Sequence, residues 1–411
     1  MTEQFYRKTI LSNGVTVLSE AMPGVKSAAL GVWMRVGSRD EAANEAGLSH
    51  FLEHMMFKGT EKRSAFEISE AFEAMGAEFN AFTTKETTCY YARLAGQKIE
   101  LALDILSDMV IHSSFDEDDI VLEREVVLEE IARANDTPDD LVFEMFSEAL
   151  LPKHPLGKPV LGSKDIIQNA NHEMARAYHA KHYTSENTVV AAAGDVNHDE
   201  LVAMCEKYFS DMPQGEKLIR PKTALVTPKL KVSTQKDTEQ TQLCYGFLSI
   251  DKNHPQRYVG GVLDALLGGG MSSRLFQEVR EKRGLVYSIS SFTQSFTDLG
   301  KFVVYAASRP ENIDEIISII DAELEKICEK PALDSEVNRV IEYIIGLLTL
   351  RLESTSSRMM KLGAQEVSGL EHISYEETLR RYREVNAEKI LEFAQEFYTQ
   401  TPSIALVEPK A

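Results

Sequence analysis

Residues Gly47 to Thr60 read GLSHFLEHMMFKGT and carry His50, Glu53 and His54 in the order H-x-x-E-H. On an α-helix, residues three and four apart share a face, so two imidazoles and a carboxylate project into one small volume. Leu48, Phe51, Leu52, Met55 and Met56 recur at i, i+3, i+4, i+7 and i+8 and supply the apolar stripe of such a helix. Gly59 is placed to stop it. With 10 His and 64 acidic residues in 411, the pattern is expected about 0.04 times by chance. A pair of polar histidines on a solvent face is therefore a poor account. The spacing points to a zinc site of the inverted type, with two His as ligands and the Glu activating water.

At these residues the chain resembles the pitrilysin family of zinc peptidases, which includes insulin-degrading enzyme and the β subunit of mitochondrial processing peptidase. The resemblance is carried by HFLEH with FKGT after it, GSRDE before it, NAFTTKETTCYY after it, the segment EREVVLEEI, and REKRGLVYS in the second half. It runs over most of the chain and is strongest to two-domain bacterial-type members of similar length.

Two His leave a catalytic zinc short of a third protein ligand. In the segment Asp116 to about Ala134, read as a helix, Glu123, Val126, Val127 and Glu130 fall on one face. The resemblance implies Glu130 as the third ligand and Glu123 as a carboxylate that orients a ligating imidazole. Glu129 is the alternative ligand, about 100° away around the helix. His154, in the loop LPKHPLGKPVLGS, reads as a surface turn, and the H-x-x-H pair His179 and His182 has no third ligand nearby in sequence.

The chain is too long for one ordinary domain and sets a prior of two. A formal charge of −20 argues against nucleic acid as a partner and would suit basic peptides. The four cysteines, Cys89, Cys205, Cys244 and Cys328, form no C-x-x-C pair, as expected of structural thiols in a reducing compartment. The N-terminus MTEQFYRKTILSNG has no apolar core of signal-peptide length and no run of 18 apolar residues occurs, so a cytoplasmic protein without membrane attachment is expected.

Val15 to Ser19 and Ser27 to Val36 read as strands, and Ser64 with Glu67 makes a capping box for a helix ended by Gly76. Glu78 to Leu94 reads as a hairpin, followed by helices from Gln97, Asp116 and Asp139. Prolines 213, 221 and 228 mark a linker, dividing the chain into a zinc domain at 1–215, a linker at 216–230 and a second domain at 231–411. Beyond it the order recurs: strand from Gln242, helices from His254 and Ser273, hairpin Leu285 to Ala307, helix Asn312 to Glu329. The fold class expected is α+β, two homologous domains, each a mostly antiparallel sheet packed with helices. LLGGGMSSRLF stands where the second copy would carry its metal helix.

The resemblance further implies a zinc endopeptidase with one Zn2+ per chain, Glu53 as its general base, and Arg280 and Tyr287 as substrate-binding and catalytic groups. It implies that Asn80, Ala81 and Phe82 lie on a strand edge to which extended peptide adds. It also implies a homodimer with shared active sites, because two copies would rebuild the four-domain relatives. A non-catalytic scaffold subunit and a specific presequence-processing peptidase are the alternative functions.

Overall fold

The computed structural model describes residues 5–222, 224–225 and 227–410. Within them the chain forms two compact units, neither contiguous in sequence. One holds the chain up to Ile131, Pro159–Pro221 and Leu350–His372; the other holds Ala132–Lys158, Lys222–Thr349 and the residues from Ile373 on.

The first unit is built on strands β1 (Tyr6–Ile10), β2 (Thr16–Ala21), β3 (Ser27–Met34), β4 (Glu78–Thr83), β5 (Thr88–Ala95) and β6 (Thr188–Gly194), in the order β1-β2-β6-β3-β5-β4. β2 runs parallel to β6 and every other pair is antiparallel. Both faces of this sheet are covered, which is why β3 and β6 are apolar at almost every position rather than at alternate ones. Leu30, Val32 and Met34 face the core made with helices α1 (Leu48–Met55), α2 (Ala65–Ala74) and α3 (Ile99–His112). Ala29 and Trp33 face the helix Thr355–Val367 through Met359 and Leu362. That helix comes so close that a Cβ on Gly363 would stand 2.1 Å from the Trp33 ring.

The second unit carries β7 (Lys231–Lys236), β8 (Thr241–Ser249), β9 (Ile289–Ser295), β10 (Gly300–Ser308) and β11 (Ser403–Pro409), in the order β7-β11-β8-β10-β9. β7 is parallel to β11 and the other pairs are antiparallel. This is the order and sense of β2-β6-β3-β5-β4, so the two sheets share one topology and the first adds β1 at its edge. The fold is α+β and duplicated, as the sequence predicts.

The contiguous domain bounds do not survive. After α3 and α4 (Glu117–Asp136), helix α5 (Pro138–Leu150) packs Val142, Phe146 and Leu150 on Cys244, Val303 and Ala405 of the second sheet. The helix Thr355–Val367, from the later half, covers the first. An amphipathic pattern states that a face is buried and not which sheet buries it. The start of the expected linker is also part of the first unit. Arg220 grips both oxygens of Asp40 at 2.8 Å and donates to the Glu86 carbonyl, while Asn187 binds Glu216 and Leu218. Linker positions 223 and 226, and the first four residues of the N-terminal reading, lie outside the described residues.

Candidate metal centre

Helix α1 is only two turns long, and its Leu48, Phe51, Leu52 and Met55 are all buried, with Met56 just beyond. Phe57 and Phe72, the latter from α2, pack on Phe79 of β4. Ser64 and Glu67 form the expected capping box on α2. With that side fixed in the core, His50, Glu53 and His54 are turned to the other side as intermediate, partly covered residues. On α4, Ile120, Glu123 and Val127 are buried and hold the helix down. Val126, expected on the same face, is instead exposed.

Nε2 of His50 lies 3.6 Å, and Nε2 of His54 3.7 Å, from the same oxygen, Oε2 of Glu130. One donor atom from each of the three falls within 4.8 Å of the others, and no other group of three such donors occurs among the described residues. Zinc holds N and O ligands at about 2.0–2.2 Å in a tetrahedron, which sets donors about 3.3 Å apart. The two edges to Glu130 need to close by only a few tenths of an ångström and the third lies within 4.8 Å, so two imidazoles and a carboxylate at this spacing fit the metal. Glu129 is exposed and outside the cluster.

His54 Nδ1 bonds Oε2 of Glu123 at 2.9 Å, and Lys58 bonds the other oxygen of that carboxylate. Burial pushes Glu123 up, but the hydrogen bonds and charges of Lys58 and His54 outweigh it and hold the carboxyl below its ordinary value. Burial, with His54 beside it, lowers His50 to about 4, so the ring is neutral near pH 7 and able to ligate. Burial raises Glu53; a hydrogen bond with Thr83 and the His54 charge pull back, and Glu130 adds to the rise. Oε2 of Glu53 and Nδ1 of His50 are buried with no hydrogen-bond partner among the described residues. A carboxylate with raised pKa and a free oxygen beside a three-donor cluster has the properties of a general base.

β4, with Asn80, Ala81 and Phe82, is the outer strand of its sheet. The Ala81 N–H donates to Oδ1 of its neighbour Asn80 at 2.8 Å rather than to β5. Arg280 and Tyr287 belong to the second unit. The structure brings them together, the Arg280 guanidinium lying 5.3 Å from the Tyr287 ring and 4.7 Å from that of Phe276. Tyr287 is 82% exposed. The helix Arg257–Gly268 follows β8 as α1 follows β3, and it has no His; its Asp264 is spent on the Ser291 hydroxyl and the Thr293 N–H of β9.

His154 is not on the surface as expected: it is 2% exposed, and its Nδ1 accepts from the Leu156 N–H. A turn that needs a backbone N–H satisfied under cover explains it. His179 spends Nε2 on the Val110 carbonyl. Sequence reasoning missed Lys58 and Thr83, although Lys58 stands one turn after His54 inside the FKGT motif.

Residues 16–164 match the family model described as Insulinase (Peptidase family M16), and residues 169–344 match that described as Peptidase M16 inactive domain. An uncharacterized zinc protease of Mycobacterium tuberculosis is 41% identical over 408 residues, 98% of this chain and 93% of the relative. One of Bacillus subtilis is 38% identical over 400 residues, 97% of each chain. The crystal structure of a protease from Helicobacter pylori shares the fold at TM-score 0.92 and 22% identity, covering 98% of this chain and 99% of the other. A structure titled peptidase M16 inactive domain, from Pseudomonas fluorescens, also shares it at 0.92 and 22%, covering 99% and 98%.

A duplicated α+β chain whose first copy alone carries H-x-x-E-H and a distant Glu defines the inverted-motif class of metallopeptidase folds. The chain belongs to the M16, or pitrilysin, peptidase family, as a two-domain bacterial-type member.

Proposed function

We propose that the protein is a zinc endopeptidase that cleaves unfolded peptides, with one zinc per chain held by His50, His54 and Glu130. The observation that carries this reading is the convergence of both Nε2 atoms on one oxygen of Glu130, with His54 held from behind by Glu123. When bound, zinc supplies Lewis acidity towards a peptide carbonyl and brings the pKa of water to about 7. Glu53 takes a proton from the attacking water and delivers it to the leaving amine nitrogen. Glu123 keeps the His54 ring in one tautomer throughout. Extended substrate adds along β4 at Asn80 to Phe82, displacing the Asn80 side chain from the Ala81 N–H, and main-chain pairing of that kind tolerates varied sequence. Tyr287 donates to the developing oxyanion and Arg280 holds a substrate carbonyl, in a homodimer whose sites are shared between subunits.

Incubating the wild type and Glu53→Gln with a mixed peptide library, read by mass spectrometry, tests the activity. Cleavage by the wild type alone, lost on chelation and regained with zinc, is expected. The cleavage pattern separates general peptide clearance from selective processing of basic presequences. No cleavage by zinc-loaded wild type refutes the enzyme.

A further inference from the structure

The GSRDE motif ends in Glu41, a residue the chemistry above does not use. Both of its oxygens reach forward to the start of α1: Oε2 accepts from the Gly47 N–H and Oε1 from the Ser49 N–H, each at 2.8 Å. We infer that Glu41 is a positioning residue for the metal centre, fixing the first turn of α1 and with it the ring of His50.

The need for such a residue follows from the local backbone. A two-turn helix is marginal by itself, and its direction is set by packing and by what satisfies its first N–H groups. Ser, Thr, Asp or Asn at the N-cap ordinarily does this. Here the N-cap is Gly47, at φ +102°, with no side chain to cap. No other residue fits there: a Cβ would lie 2.7 Å from the Leu161 carbonyl oxygen and 2.9 Å from a methyl of Ile167. Gly162, next to Leu161, is equally tight against it, its own Cβ position being 2.2 Å from the Gly47 Cα. The backbone crossing that seats α1 therefore excludes a local cap, and the function passes to a side chain six residues upstream.

Ser49, the residue before the ligand, is fully buried, with its N–H on Glu41 and its hydroxyl 2.7 Å from the Tyr178 hydroxyl. A carboxylate at this end also complements the helix dipole. Burial pushes the Glu41 carboxyl up to about 7 against the pull of the two amides, so it is held there at a desolvation cost. On the next residue, His50, Nδ1 has no partner of its own among the described residues. Its ring thus lacks the orienting carboxylate that His54 has, and the backbone under it is what sets its direction.

This inference rests on the zinc assignment, and the test separates the two. Zinc affinity of the apo protein is measured by chelator competition for the wild type, Glu41→Gln and Ser64→Ala, and the absorption spectrum of the cobalt-substituted proteins is recorded. Glutamine keeps the length but only one accepting oxygen, so one helix N–H loses its partner. Ser64→Ala removes the cap of α2, a helix that carries no ligand. Glu41→Gln is expected to weaken zinc about 5-fold, the effect of losing one helix cap, and to alter the cobalt spectrum. Ser64→Ala is expected to do neither. Equal effects of the two variants, or unchanged affinity and spectrum in Glu41→Gln, overturn the positioning role. A wild type that binds no zinc overturns the metal assignment instead. If Glu41→Gln does not fold, amide exchange in the wild-type apo protein decides. The Gly47 and Ser49 amides should exchange at least about 100-fold more slowly than unstructured peptide, and unprotected amides there overturn the inference.

Discussion

Nδ1 of His54 donates to Oε2 of Glu123 across 2.9 Å, and this bond determines which nitrogen of the ring faces Glu130. A carboxylate can only accept, so Nδ1 carries a proton, and the neutral ring then has its lone pair on Nε2, the atom 3.7 Å from Glu130. Lys58, pairing with the same carboxylate, keeps it ionised and in place.

Glu123→Ala should accordingly weaken zinc by about 10- to 100-fold while leaving all three ligands present. Chelator competition on the purified variant measures it. An affinity within about twofold of wild type would show that Glu123 does not orient His54.

Removing a ligand should act on the metal, and removing the base should act on turnover. His50→Ala and Glu130→Gln are expected to purify with little or no zinc by elemental analysis, and either variant with full zinc drops that residue from the ligand set. Glu53→Gln should keep its zinc and lose at least about 10²-fold in peptide hydrolysis. Near-normal turnover by Glu53→Gln would assign the proton transfer to another group.

What the sequence showed, and what it hid, follows from the range of the interactions involved. The α1 stripe, the Ser64 cap and the two hairpins rest on contacts within a few residues, and all are present. β1 and β7 were not legible because each is an edge strand, YRKTI and KVSTQK, largely exposed and without a strong apolar pattern. The destinations of α5 and of Thr355–Val367 were hidden because helices of either half present similar apolar faces. Glu41 acts on backbone groups six and eight residues on, across an irregular turn, and Arg220 on one 134 residues away, and no periodicity reports such bonds.

The second unit supplies a pH prediction of its own. Burial pushes Asp264 to about 6, with the Ser291 hydroxyl and the Thr293 amide offsetting part of the rise. Its unfolded value is about 3.9. Between these values the folded state binds the proton more tightly, so this residue's contribution to stability falls as pH rises from about 4 to about 6. The full swing is on the order of 3 kcal/mol at most. Asp264→Asn cannot ionise and keeps an oxygen for the Thr293 amide. Its melting temperature relative to wild type should therefore rise from pH 4 to pH 7. A difference that stays constant across that range would show that Asp264 does not titrate there.

The proposed sharing of sites between subunits is testable by mixing defects. A heterodimer of Glu53→Gln with Tyr287→Phe has two impaired sites if each site is built within one chain. If Tyr287 serves the zinc of the other subunit, one site carries both defects and the other has native Glu53 and native Tyr287. Co-expression with two different tags isolates the heterodimer, and its peptidase activity should then approach half that of wild type. Tyr287 suits such a role because the residue is 82% exposed, with Arg280 beside its ring. Activity no higher than the mean of the two mutant homodimers would rule out shared sites, and a monomer in sedimentation would rule out the dimer itself.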